Sequence, residues 1–424
     1  MLFGAIGDDF TGSSDLGLML SSGGMNTVQY VGTPNNNADL DVDAGIVALK
    51  TRSVPVAEAI AKSIEAYRWL KAQGCQQFMF KYCSTFDSTD KGNIGQVIDA
   101  LIDEIGTEEP VIVCPVFPSA GRSIYQGHLF VNDTLLSESG MQNHPLTPMR
   151  DPDIRRVLAP QTRRNVGHLP LADILSGNAN MRLSTEANEG RQLVVCDAVS
   201  EDNLYEIARA VHQYPLITGG SGIALGVPAN FGKSKKMTTD WVQTNGRVLC
   251  LSGSCSLATR AQIAAHKEVG NAWFKLDADD VIGGKVTAEN ILNWAKEQKS
   301  LPLVYSSDDP KNVQAVQQKY GLEVAASAFE NLFGAIAKRA VDDGFGGIIS
   351  AGGETSGAVV EALNARALQI GPMIDPGVPA LRLAKNTDTS SSSNSDLVLA
   401  LKSGNFGASD FFDKAAKILS TSSI

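Results

Sequence analysis

Two adjacent carboxylates, a hydroxyl and a glycine, Asp8-Asp9-Phe10-Thr11-Gly12, follow directly on an apolar run near the start of the chain. At a strand end such a pair can accept a hydroxyl proton, orient a polyol or help hold Mg²⁺. Asp9 or Thr11 can equally cap a helix over Ser13–Ser22. Asp15, one helical turn on, is placed to contribute to the same mouth. A second polar cluster, Lys81, Ser84, Thr85, Asp87, Ser88 and Thr89, leads into Gly92-Asn93-Ile94-Gly95. Hydroxyls and a lysine suit the carboxylate and hydroxyls of a sugar acid, and Arg52 and Arg122 could supply the bidentate clamp that lysine cannot. The same stretch also reads as a solvated turn in which Asn93 caps a helix over Ile94–Ile105. His128, in Gly121-Arg-Ser-Ile-Tyr-Gln-Gly-His128, could act as an acid or base, although a single loop histidine is more often a satisfied polar residue.

The second half carries chemistry of another kind. Ser252-Gly253-Ser254-Cys255-Ser256, Gly352-Gly353-Glu354-Thr355-Ser356-Gly357 and Lys402-Ser403-Gly404-Asn405-Phe406-Gly407 are small-residue loops. Backbone N–H groups at a helix start, joined by serine hydroxyls, cradle phosphate, and glycine lets the backbone approach closely. Each loop alone could be a packing turn; together they resemble a nucleotide site. Two familiar fingerprints fail. Gly226…Gly232-Lys233-Ser234 has five residues between its glycines where a Walker A loop has four, and Gly220-Ser-Gly222…Gly226 is one residue too long for a dinucleotide loop.

Every one of these loops needs a strand to aim it. Short apolar runs recur at Leu2–Ile6, Ile46–Leu49, Phe78–Phe80, Val111–Cys114, Leu193–Cys196, Val248–Leu251, Leu303–Tyr305, Ile348–Ser350 and Leu397–Leu401. Helix-like stretches such as Val56–Gln73, Asn203–Gln213, Ala258–Val269 and Ala328–Val341 lie among them. That alternation predicts an α/β chain of two domains, each with a mainly parallel sheet flanked by helices. In such sheets ligands bind beyond the carboxyl ends of the strands, where this sequence concentrates Gly, Ser, Thr and charge. A Gly, Pro and Lys stretch at Gly226–Asn245 suggests a boundary, giving domains at 1–235 and 246–424. Segment 115–190 lacks periodicity and reads as a long excursion, and Thr389–Ser395 as a flexible loop.

Composition narrows the class. The chain has 424 residues, 36 Lys and Arg against 46 Asp and Glu, and a net charge of −10 without a basic run, which argues against nucleic acid. No segment approaches the roughly 18 apolar residues of a membrane span. The amino-terminal residues lack the pattern of an export signal. The six cysteines are scattered without metal-binding spacing, which fits a reduced, cytoplasmic setting.

Taken in order, the Asp8–Gly12, Ser252–Ser256, Gly352–Gly357, Ile374-Asp-Pro-Gly-Val-Pro379 and Lys402–Gly407 motifs resemble the four-carbon acid sugar kinase family. Phe117-Pro118…Gly121-Arg122…Tyr125–Phe130 and His144-Pro-Leu-Thr-Pro-Met149 look like its branch acting on the 4-hydroxyl of 3-oxo-tetronates, where other branches act on threonate or erythronate. The resemblance implies an amino-terminal substrate domain, a carboxyl-terminal nucleotide domain and chemistry in the cleft between them, with ATP and Mg²⁺ as cofactors. By that analogy Ser252, Ser254, Gly352, Gly353, Glu354, Thr355 and Gly404 contact ATP. Asp8, Asp9, Arg52, Lys81, Ser84, Thr85, Asp87 and Arg122 face a small anionic sugar acid, with Asp9 or Asp8 expected to take the hydroxyl proton. The Asn386–Ser395 stretch reads as a local insertion. A sugar-acid sensor without catalysis is the rival of another class, and a homodimer is left open.

Overall fold

The computed structural model describes residues 1–38, 41–143, 147–234, 241–384 and 397–421. The chain forms two compact units, Met1–Thr238 and Thr239–Ile424. In the first, strands β1 (Phe3–Gly7), β2 (Thr27–Val31), β3 (Ala44–Ala48), β4 (Gln77–Lys81) and β5 (Val111–Cys114) are followed by a small antiparallel sheet. That sheet comprises β6 (Arg122–Tyr125), β7 (His128–Val131) and β8 (Thr134–Leu135), after which β9 (Val166–Leu169), β10 (Leu193–Cys196) and β11 (Leu216–Gly219) return to the main sheet. The main sheet runs β2-β3-β1-β4-β11-β5-β10-β9 and its strands pair in parallel throughout. Strands β1, β3, β4 and β5 are buried at every position, which is why they read as unbroken apolar runs. Helices α1 (Phe10–Ser22), α2 (Val56–Ala72) and α3 (Ile94–Ile105) make the crossovers that parallel pairing requires.

The described residues of the excursion at 115–190 form a small sheet, short helices and a return strand. Its anchor is Asp197, just past β10 and fully buried. One oxygen accepts from the Gly127 amide and from His168 Nε2, both at 2.9 Å; the other accepts from the Gln126 and Leu171 amides at 2.9 and 3.1 Å. A single carboxylate therefore ties the β6–β7 turn to the carboxyl end of the main sheet. His128 lies on β7 with its ring bonded to the Gln126 carbonyl at 2.8 Å, within that small sheet.

The second unit contains β12 (Arg247–Ser252), β13 (Trp273–Lys275), β14 (Leu303–Tyr305), β15 (Phe345–Ala351), β16 (Ala367–Asp375), β17 (Val378–Leu383) and β18 (Val398–Lys402). Its order is β13-β14-β12-β15-β18-β17-β16, parallel as far as β18 and antiparallel for the last two pairings. The core under it is formed by Cys250, Ile349, Ala400, Phe411, Phe412 and their neighbours. Among the described residues no helix is long and apolar enough to cross a membrane, and the six cysteines are free. Both the Thr389–Ser395 stretch and His144–Leu146 lie outside the described residues.

Candidate functional site

In the first unit the polar residues converge where β3, β1 and β4 end. The backbone after β1 is stitched to both neighbours: the Asp8 amide donates to Lys81 O at 3.0 Å, and the Thr51 amide to Asp8 O at 3.0 Å. This fixes Asp8, Arg52 and Lys81 side by side. Arg52 grips Asp8 with a two-pronged contact, Nε to Oδ2 and Nη2 to Oδ1, both 2.8 Å, and its Nη2 also meets Asp9 Oδ1 at 3.0 Å. The fork expected for a substrate carboxylate is thus spent within the protein. Asp9 takes the capping role that the sequence offered it. It is the cap of α1, accepting from the Gly12 amide at 3.1 Å, while Thr11 donates to its other oxygen at 2.8 Å.

The balance of burial against cations and donors separates the two carboxyls. Desolvation raises Asp8 above the ordinary carboxylate range, against the opposing Arg52 charge and hydrogen bonds. For Asp9 burial acts in the same sense, but Arg52, Lys81 and the Thr11 and Gly12 donors outweigh it and hold the carboxyl low. Lys81 is 3% exposed and donates to Tyr82 O at 2.9 Å. A recess of about 250 Å³ opens beside the fork, lined by Asp8, Arg52, Asp87 and Asn93 over an apolar floor of Phe80, Ile94 and Val97.

The loop after β4 is held under strain. Phe86 is a fully buried aromatic at φ 54, a region that bulky side chains avoid, and it packs edge-on against Tyr82 at 5.4 Å. Thr85 donates to Asp87 at 2.6 Å, and Ser88 to Gln161 at 2.8 Å. Asn93 occupies the position before α3 but does not cap it. Its amide instead clamps the Thr51, Val54 and Arg52 carbonyls at 2.7, 2.9 and 3.3 Å, holding the Arg52 loop in place. Arg122 donates to Ala120 O, and burial lowers its pKa although Cys83, Asp87 and Asp15 lie within electrostatic reach. Ser84 is buried in the same loop.

In the second unit the loops after β12, β15 and β18 pack into one another. A methyl group on Gly404 would reach within 2.6 Å of Ser254 Oγ, and one on Gly352, at φ 121, within 3.1 Å of the Ser254 amide. The Gly253 and Ser254 amides both donate to Ala351 O, at 3.1 and 3.2 Å, so they bind the loops together and leave the cradle to other donors. Ser252 lies deeper, against Ser307 at 3.1 Å. Ser256 caps the helix Leu257–Glu268. By contrast the helix Gly353–Ala362 starts after Gly352 with no side-chain cap, and Gly353 and Glu354 are exposed there while Thr355 is buried. An uncapped helix start presents N–H groups and a partial positive charge to an anion.

Beneath this ring lies Lys402, whose weight composition could not reveal. It is fully buried, and its Nζ donates to Thr259 Oγ1, Gly404 O and Ser403 O at 2.9, 3.0 and 3.1 Å. No carboxylate is among these partners, and burial brings the ammonium down to about 7. Asp375, from the Ile374–Pro379 motif, accepts from the Ala408 amide at 3.0 Å and from Lys414, which braces the chain beyond Gly404. Among the described residues no group of acidic, histidine and cysteine side chains is placed to hold a metal ion.

Residues 3–227 match the model of a sugar-binding N-terminal domain, and residues 249–412 that of a nucleotide-binding C-terminal domain. The chain belongs to the four-carbon acid sugar kinase family. A relative from Pseudomonas fluorescens named 3-oxo-tetronate kinase is 47% identical over 98% of this chain and 96% of its own. One of the same name from Haemophilus influenzae is 41% identical over 98% and 99%. A solved structure from Salmonella typhimurium LT2, under the working description of a tRNA synthase, is 39% identical with a TM-score of 0.83, covering 97% of this chain and 98% of that one. A solved Haemophilus influenzae protein is 40% identical with a TM-score of 0.75, covering 98% and 100%.

Two outcomes test this geometry. Gly12 lies inside a helix, where alanine ordinarily stabilises by about 0.5–1 kcal/mol. Here a methyl group would collide with Asp9 Oδ1 and come within 2.9 Å of Lys81 Nζ. Gly12→Ala is therefore expected to destabilise by about 1–3 kcal/mol in denaturant titration. For Lys402 the unfolded chain keeps its proton up to about pH 10.4, whereas the folded group gives it up from about 7. The unfolded state then binds more protons across that window, so stability rises with pH. Measured as the difference between wild type and Lys402→Met, wild type should gain on the order of 2 kcal/mol between about pH 7 and 9. A difference that stays flat would refute the depressed lysine.

Proposed function

We propose that this chain is an ATP-dependent kinase that phosphorylates the 4-hydroxyl of a 3-oxo-tetronate in the cytoplasm. The observation that carries the reading is the pairing of two sites in one chain. One is a small recess lined by Arg52 at the carboxyl ends of a parallel sheet, with the buried Lys81 in electrostatic reach of the same Asp8. The other is a ring of small-residue loops over an uncapped helix start, with a buried ammonium beneath. The relatives' names supply the oxo acid and the kinase activity.

In this reading Arg122 and Lys81 receive the substrate carboxylate and hydroxyls, assisted by Ser84, Thr85 and Asp87, while the Asp8–Arg52–Asp9 cluster shapes the wall. Ser254, Gly352–Thr355 and Gly404 receive the triphosphate, and Ser252 supports their loop. Mg²⁺ enters as the counter-ion of the nucleotide and neutralises charge on the phosphates when bound. Phosphoryl transfer depends on positioning and electrostatics, which is what rigid loops at strand ends provide. Free cysteines support a reduced compartment. The net charge of −10 weighs against a tRNA substrate.

The test is ADP release from ATP and Mg²⁺ with freshly generated 3-oxo-tetronate, threonate and erythronate. Turnover confined to the oxo acid is expected. Turnover with the plain acids would move the specificity, and acid binding without ADP release would make the protein a sensor. Arg122→Ala should raise KM for the acid tenfold or more, roughly the 1.5–3 kcal/mol of a charged hydrogen bond, with nucleotide Kd unchanged.

A further inference from the structure

The residue types at 8 and 9 make them the obvious proton acceptors, yet both are committed. Asp8 gives both oxygens to Arg52 at 2.8 Å. Asp9 shares Oδ1 between the Gly12 amide and Arg52 and gives Oδ2 to Thr11. Asp15, in the second turn of α1, is different. It is 5% exposed, and its Oδ2 accepts the hydroxyl of Ser221, at the turn after β11. Its Oδ1 is buried and accepts no hydrogen bond from any described residue. Leaving a buried acceptor unsatisfied costs about 1–3 kcal/mol, a cost that an incoming hydroxyl donor removes.

The charged groups around Asp15 include two of those assigned above to the acid, although the recess beside Arg52 is lined by other residues. The charged groups within reach are Lys81 from the end of β4, Asp9 from the start of α1, and Arg122 from β6. The other elements packed on α1 add little: β1, β3 and the Ser221–Leu225 turn carry no ionisable side chain, and β2 carries only Tyr30. The free acceptor thus shares its neighbourhood with both cations assigned to the substrate.

We propose that Asp15 is the general base of the reaction, its Oδ1 taking the proton of the attacking substrate hydroxyl. This rests on the kinase reading above. The hydroxyl O–H bond breaks and its oxygen forms the new O–P bond. The bond from the γ-phosphorus to the bridging oxygen breaks, ADP leaves with that electron pair, and the proton stays on Asp15 until it passes to water. Burial lifts the Asp15 carboxyl to about 7, against Lys81 and the Ser221 hydroxyl, which favour the ionised form. A base poised near the working pH combines availability with strength.

The experiment follows kcat against pH for the full-length chain with an acid that wild type turns over, alongside Asp15→Asn and Ser221→Ala. Thermal unfolding and nucleotide binding of each variant accompany it. Wild-type rate should rise with pH through an apparent pKa near 7. Asp15→Asn should lose roughly 10²–10⁴-fold in kcat, keep its nucleotide affinity and lose that limb. Ser221→Ala removes a donor to the carboxylate, so its limb should move to higher pH. Wild-type rate and limb in Asp15→Asn, or an unmoved limb in Ser221→Ala, overturns the assignment while the kinase stands. Should Asp15→Asn fail to fold, the Ser221→Ala limb decides alone. No ADP from wild type with any of the acids overturns the kinase reading and this inference with it.

Discussion

Much of the amino-terminal site hangs on one guanidinium. Arg52 bridges Asp8 and Asp9, two neighbouring carboxylates that would otherwise repel one another in a buried setting. Taking one partner from such a cluster costs about 3–5 kcal/mol, because a buried charge is left uncompensated. The surrounding structure is organised to keep Arg52 in place. Asn93 clamps the carbonyls on either side of it, and the sheet ladder continues past β1 to hold Thr51 against Asp8. Gly12 leaves the space in which Asp9 and Lys81 approach. Arg52 is thus an internal tie between the two carboxylates, and in the proposed reading Lys81 and Arg122 meet the anionic ligand.

The carboxyl-terminal unit solves the opposite problem with the opposite sign. Lys402 is a cation with no anion beside it, steadied by two carbonyls and a threonine hydroxyl. Neutral dipoles compensate part of the desolvation, and while the group is protonated they leave its positive charge uncancelled under the Ser254, Gly352 and Gly404 loops. A carboxylate partner would have cancelled that field. One of these contacts holds the Gly404 carbonyl, which also accepts from Ser256 and Thr259, so Lys402 helps to set the loop's shape.

The legible part of the fold was the part buried on both faces. Strands such as Val111–Cys114 and Leu193–Cys196 are apolar at every position and announce themselves. Strand β2, Thr-Val-Gln-Tyr-Val, does not, because its central Gln29 is fully buried yet serves as a polar tie to Ser14 and the Phe10 carbonyl. Strands β16 and β17 contain Pro372 and Pro379, which suggest a break, although both sit in an irregular antiparallel pair with register shifts. In the site, Asp8, Arg52 and Lys81 were legible because each directly ends or follows an apolar run. The cap offered as one reading of Asn93 does not form, because a cap is a local reading and the partners of Asn93 lie some 40 residues away. Asp15 could be noticed but not understood, since the hydroxyl that donates to it, Ser221, stands 206 residues further on.

Three carboxyls within one helical start therefore reach three different states by environment alone. Asp9 is held low by a cation and donors, Asp8 is raised although gripped by the same cation, and Asp15 is lifted to about 7 with one oxygen free. Groups of like type whose surroundings drive their proton affinities apart are how one fold separates structural charge from proton transfer at neutral pH. The division follows from position on α1: the cap must face the helix amides and Arg52, whereas a residue in the second turn can face only what the neighbouring strand ends bring. Here they bring a hydroxyl and two cations, a setting in which a carboxyl can still exchange its proton.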